Sequence, residues 1–136
     1  MSMVIPNILE VEILTSVLTP TLTLKLYSND KTPASSDTSS AYTEVIGGGY
    51  SSKSLTFANW TITSGDPSVA TYNSVQTWTF TGPTDSPATI YGYFVIRVSD
   101  GHLMWAERFP PANVPFSTIA GSIIKVLPKF TAQSAN

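Results

Sequence analysis

The sequence predicts a mostly β domain: a single antiparallel β-sandwich or barrel of jelly-roll-like or Greek-key type, with one short N-terminal α-helix. Three observations predict it. Leu22, Leu24 and Leu26 alternate with Thr23, Lys25 and Tyr27 in a strict two-residue period. An Asp100-Gly101 turn joins two apolar runs. Short Ser- and Thr-rich strand signals recur between turn clusters, the pattern of a sandwich or barrel. The 136 residues fit one domain, 1–136, long enough to bury a core without metal or disulfide staples.

Taken in order, Asn7 reads as the N-cap of a helix over about residues 8–18, with Glu10 reaching back in a capping box and Pro20 preventing continuation. Ile8, Val11, Leu14, Val17 and Leu18 recur at helical spacing and predict the buried face. A strand through Val11 and Ile13 is the alternative, because β-branched residues are frequent there. After the Leu22–Leu26 strand, residues 29–49 are rich in Ser, Thr, Asp, Pro and Gly. They predict an extended loop or arm, too polar to bury itself and ordered on a neighbouring subunit. Its glycine triplet, Gly47 to Gly49, reads as a flexible hinge; with no Lys-Ser or Lys-Thr following and no helix after it, it is not a phosphate loop.

Strand signals follow at residues 50–57, 59–63, 69–72 and 75–81, then at 89–98 and 102–109 around the Asp-Gly turn, which supplies positive φ angles for a tight hairpin. Tyr91, Tyr93 and Val95 face one side and Ile90, Phe94 and Ile96 the other, so this strand belongs beneath layers on both faces. Pro110, Pro111 and Pro115 force an extended connection, residues 122–127 close the sheet, and residues 131–136 form a polar tail. The expected core includes Leu24, Leu26, Trp78, Phe80, Phe94, Trp105 and Ile124.

Composition narrows the function. Net charge is −2, with 7 basic and 9 acidic residues spread singly, so no basic stripe can track a phosphate backbone, and nucleic acid is not an expected partner. No apolar run approaches a membrane span, and residues 1–20 lack the basic start of a secretory signal, so no membrane is expected. Charged residues make up 12% of the chain, well under the roughly one quarter usual in soluble domains, which suits an extended β domain with Thr-rich strands, a surface covered by neighbouring subunits, or both.

Chemistry is thin. Cysteine is absent and His102 is the sole histidine, placed beside the turn where an exposed tip residue is expected, so neither a thiol nucleophile nor a metal-ligand spacing exists. Glu107 and Arg108 point to opposite faces of a strand, and Glu107 reads as an interstrand partner for Arg97. No enzyme, cofactor or metal site is expected. Trp60, Trp78, Trp105, Tyr91 and Tyr93 can serve as a stacking platform for sugar, although core or subunit interface is the more frequent fate of such residues.

With these residues in place, the order of strings along the chain resembles that of small tailed-phage virion proteins of the head-decoration or cement type. The strings are Asn7 and Glu10 in the opening segment, Leu22-Thr-Leu-Lys-Leu-Tyr-Ser-Asn29, Thr32-Pro33, Tyr42-Thr-Glu44 before Gly49-Tyr50, and Lys53-Ser-Leu-Thr56 with Trp60. Gln76-Thr-Trp-Thr-Phe80, Ile90-Tyr-Gly-Tyr-Phe94 and Leu103-Met-Trp-Ala-Glu-Arg-Phe109 follow. The resemblance implies a virion component, made in the host cytoplasm and carried on the phage head surface. It would bind the major capsid protein and self-associate as a homotrimer. The expected partner-binding residues are Asn29, Asp30, Lys31, Thr32, Pro33, Tyr42, Glu44, Tyr50, Tyr91, Tyr93 and Trp105. The alternative is a receptor- or carbohydrate-binding module of a tail appendage.

Overall fold

Alternation in the Leu22–Tyr27 segment buries Leu22, Leu24 and Leu26 completely, and this strand organises the domain. A computed structural model describes residues 4–132. One helix, α1 (Asn7–Leu18), precedes nine strands: β1 (Leu22–Tyr27), β2 (Lys53–Leu55), β3 (Trp60–Thr63), β4 (Ser68–Tyr72), β5 (Gln76–Thr79), β6 (Gly92–Arg97), β7 (Leu103–Arg108), β8 (Ile123–Val126) and β9 (Lys129–Ala132). They form three antiparallel sheets, β2-β1-β6-β7, β3-β4-β9 and β5-β8. Leu22, Leu24, Leu55, Trp60, Ala70, Trp78, Val95 and Ile124, drawn from all three, share one core. The fold is thus mostly β with one short N-terminal helix. The pairings β1 with β6, β4 with β9 and β5 with β8 supply non-consecutive neighbours.

The hairpin β6–β7 forms as expected and places β6 between β1 and β7. Its turn differs: only Gly101 has positive φ, at 72°, and Asp100 instead accepts hydrogen bonds from the Arg97 guanidinium and the His102 amide. The loop is one residue roomier at each end than a two-residue turn, so one left-handed residue closes it. Arg97 is therefore not held by Glu107, which stands opposite Tyr93 in the register. Of the expected core, Leu24, Leu26, Trp78, Phe80, Phe94 and Ile124 are buried, and Trp105 packs half-buried against them.

At the N-terminus the helix is present but its start and its face are corrected. Asn7 is the first helical residue and caps nothing; Pro6, already extended at ψ 150°, takes the cap, and its carbonyl accepts the Leu9 and Glu10 amides. Glu10 consequently turns inward rather than back to the cap. It is 1% exposed and accepts a 2.8 Å hydrogen bond from Ser68 Oγ, while its Oε2 has no partner. The buried stripe is Glu10, Leu14 and Leu18, with Val11 and Val17 beside it, whereas Ile8 is 73% exposed. Ser68→Ala removes the single donor from a buried carboxyl group and is expected to cost about 1–3 kcal/mol, measured by urea unfolding. An unchanged midpoint would mean that water reaches Glu10.

The 29–49 excursion is irregular, as expected, apart from a 3₁₀ turn at Ser39–Ala41. It is not, however, too polar to bury itself. Tyr42 and Val45 are buried, and the Tyr42 ring meets Tyr27 edge-on at 5.0 Å and stacks on Phe94 at 5.3 Å. Ser28 N donates to Thr43 O and Val45 N to Leu26 O, extending β1's pairing beyond β2. This segment is the layer that the second apolar face of β6 requires. Nor is the glycine triplet a flexible hinge: Gly47, Gly48 and Gly49 have φ of 83°, 63° and 81°, and the Thr81 amide is bound to Gly48 O. A side chain at Gly48 would lie 2.8 Å from Gly82 O, so both the turn and the close approach demand glycine.

One strand was not foreseen. Residues 129–132 pair with β4 in the register Ser68↔Ala132 to Thr71↔Lys129, so the tail expected from Thr131 begins as β9, and residues 133–136 lie outside the described ones. Phe130, packed against the core, holds the strand down despite its polar neighbours.

Candidate functional site

The residues expected to bind a partner lie on the excursion, on β6 and β7, and in the segments beside them, and most are used internally. Asn29 braces the loop by donating through Nδ2 to Ala41 O at 2.9 Å and accepting the Thr43 amide at 2.9 Å. Asp30 pairs with Arg108 at 2.6 Å, and the same guanidinium lies 5.0 Å from the Tyr91 ring centre. Lys31 O accepts from the Tyr27 hydroxyl at 3.0 Å, and Lys31 Nζ pairs with Asp37 at 2.9 Å. Thr32 is exposed and Pro33 half-buried.

Further along, the Tyr42 hydroxyl donates to Asp37 at 2.7 Å, Glu44 accepts from the Tyr50 hydroxyl at 2.7 Å and pairs with Lys25, and Tyr50 stacks on Trp78. Burial and an adjacent carboxylate push the Tyr42 and Tyr50 hydroxyls well above the ordinary phenol range, so both remain protonated donors. These groups form a clasp that ties the excursion to the sheet.

Asp37 is the centre of that clasp. The hydrogen bond from Lys31, then those from the Ala34 amide and the Tyr42 hydroxyl, hold its carboxyl down at about 2, against an ordinary 3.8. A depressed folded value means that the carboxylate's contribution is complete above about pH 4 and is lost as pH falls through its folded value near 2. Pepsin nicking of residues 31–41 is therefore expected to rise in the wild type only below about pH 3, and Asp37→Asn should bring such nicking, by any suitable protease, up to neutral pH. Equal resistance of both proteins near neutrality would remove Asp37 from this role.

The aromatic platform is mostly consumed as well. Trp60, Trp78 and Tyr93 are buried, whereas Tyr91 and Trp105 are half-buried. Trp105 packs at 4.8 Å from Phe130 and edge-on to Trp60 at 6.3 Å. A shallow cleft of about 420 Å³ opens where β7, an edge of the four-stranded sheet, faces β9, an edge of the three-stranded one. Tyr93, Trp105, Glu107, Lys129, Phe130 and Thr131 line it. His102 lies exposed at the hairpin tip, 3.2 Å from Asp100. Among the described residues, no group of three or more His, Cys, Asp or Glu is arranged for a metal ion, and no helix is long and apolar enough to cross a membrane.

A feature that the sequence reading missed is the outward face of α1. Ile8, Leu9 and Ile13 are 73%, 42% and 40% exposed while a carboxylate takes the inward position. The signal was available in Leu9 and Ile13, which fall off the expected stripe and flank the exposed Glu12 and Ser16. Compared with known proteins, this chain matches no family model, no curated protein and no solved structure.

Proposed function

We propose that this protein is a cement or decoration subunit of a tailed-phage head, binding the major capsid protein through the outward face of α1. The observation that carries the reading is the exposed Ile8, Leu9 and Ile13 on a helix that spends an inward position on Glu10. Three large apolar side chains exposed on one helix, around Glu12 and Ser16, suit a partner that covers them, and no helix among the described residues is long and apolar enough to cross a membrane. The low charge content, 12%, and the resemblance of the order of its strings to that of virion proteins support the same reading. The clasped excursion moves the expected contact away from Lys31, Tyr42, Glu44 and Tyr50, whose polar atoms are engaged internally. Self-association as a homotrimer around a local threefold axis remains part of the proposal, and the head surface its location.

The test is occupancy on reconstituted heads. Ile8→Ser with Ile13→Ser alters only exposed side chains, so the fold should hold to within about 1 kcal/mol. Fully burying an apolar side chain contributes about 1.5–3 kcal/mol; with Ile8 73% and Ile13 40% exposed beforehand, the double variant should bind more weakly by about tenfold or more. Full occupancy by the variant at the wild-type concentration would sink the assignment of this face.

A further inference from the structure

We infer that the cleft between β7 and β9 is a binding site for a neutral saccharide, independent of how the protein is held on a particle. The cleft is built from two strand edges that belong to different sheets, so it is a seam of the fold rather than a surface dimple. Its volume, about 420 Å³, lies within the ordinary range of small-ligand sites. Trp105 and Phe130, packed together at 4.8 Å, supply an aromatic wall against which the C–H face of a pyranose can lie.

The polar rim selects the ligand class. Glu107 and Lys129 are both exposed, and neither forms an ion pair among the described residues. With one group of each sign the cleft has no net charge preference, and a neutral ligand can use both groups. The carboxylate accepts two hydroxyl donors and the ammonium donates to hydroxyl oxygens. Tyr93 and Thr131 add hydroxyls that both donate and accept, which suits a ring bearing several hydroxyls better than a zwitterion. Tyr93 keeps its proton at ordinary pH, because burial and then the Glu107 carboxylate push its hydroxyl up to about 12.

Strand geometry fixes the set. Trp105 and Glu107 share one face of β7 by two-residue alternation, and Tyr93 stands opposite Glu107 on β6. On β9, alternation puts Lys129 and Thr131 on the opposite side of the strand from Phe130, so at this edge they form the rim of the cleft while Phe130 packs on Trp105, and pairing with β4 holds the strand in place. The cleft is open, so a residue within a longer chain can enter as readily as a terminal sugar.

The experiment titrates the intact chain with a panel of neutral methyl glycosides and disaccharides, read by saturation-transfer and amide-shift NMR. Glycine betaine, free tryptophan and a sialoside serve as charged or zwitterionic counter-probes. At least one neutral glycoside should bind and shift the amides of residues 105–107 and 129–131. Glu107→Gln and Lys129→Ala should each weaken that binding by about tenfold or more with unchanged melting temperature. Trp105→Phe, which keeps a packed ring, should weaken it without unfolding the domain. Absence of binding across the neutral panel, preference for a counter-probe, or binding indifferent to both Glu107→Gln and Lys129→Ala would overturn the site. Because Ile8 and Ile13 are untouched, none of these outcomes alters head occupancy, and loss of occupancy leaves the cleft unaffected.

Discussion

Replacing residues 31–48 by a short Gly-Ser linker is expected to leave the domain unfolded or prone to sticking at room temperature, not as a trimmed but intact β domain. The deletion removes Tyr42 and Val45 from the interior and uncovers Tyr27 and Phe94, which the excursion covers. At about 1.5–3 kcal/mol for each apolar side chain, the loss reaches roughly 6 kcal/mol or more. Shortening the connection returns only about 1.5 kcal/mol of closure entropy. A domain of this size has about 5–15 kcal/mol in total, so the loss consumes much of it. The measurement is urea unfolding together with binding of an apolar dye. A variant that unfolds at the wild-type midpoint and binds no dye would show that the excursion merely lies on the sheet.

Trp78→Ala is expected to cost about 3–5 kcal/mol. The side chain is 3% exposed, stacks with Tyr50 at 6.4 Å and lies beneath Lys53 Nζ at 5.6 Å. Its Nε1 donates a 2.7 Å hydrogen bond to Ser51 O, linking β5 to the segment leading into β2. Truncation therefore opens a cavity and strands a carbonyl together. Trp78→Phe separates the two effects: it keeps most of the packing and loses the hydrogen bond, so about 1–2 kcal/mol is expected. Equal losses for Ala and Phe would assign the whole effect to the hydrogen bond, and a neutral Ala variant would remove Trp78 from the core.

Wherever one residue type had a single physical use, the sequence was legible. Leu22, Leu24 and Leu26 could only be the inward face of a strand, and Gly101 could only be the left-handed position of a hairpin. The two apolar faces of β6 correctly called for a second covering layer, but the layer's identity was hidden. Tyr42 and Val45 are two apolar residues in a long polar stretch, and composition averages them away. Glu10 misled for a related reason. A carboxylate three residues after Asn7 fits a capping box, yet Pro6 already held the cap conformation, which shifted the helix start and turned Glu10 onto Ser68. β9 was invisible because its one large apolar residue, Phe130, lies between Lys129 and Thr131 beyond a proline, with only the small Ala132 beside it on the core. Of the candidate contacts, Asn29, Lys31, Tyr42, Glu44 and Tyr50 carry polar groups engaged within the chain, and nothing in their spacing along the sequence shows those pairings.

The separation in sequence between paired strands sets how this chain can acquire its structure. Leu22 meets Arg97, Ser68 meets Ala132 and Gln76 meets Val126, so each sheet waits for a partner made much later. The β6–β7 and β3–β4 hairpins form from close neighbours, and β1 meets β2 across the long excursion. Chains dominated by distant pairings fold in about milliseconds to seconds rather than microseconds. On the ribosome β4 and β5 must remain without their outer partners until residues 123–132 have emerged. During that interval the Leu14 and Leu18 side of α1 lacks the β9 part of its support, and the unpaired edges are open to other nascent chains. Slower synthesis at lower temperature lengthens the wait but weakens apolar association, so yield should depend on temperature more steeply than stability does.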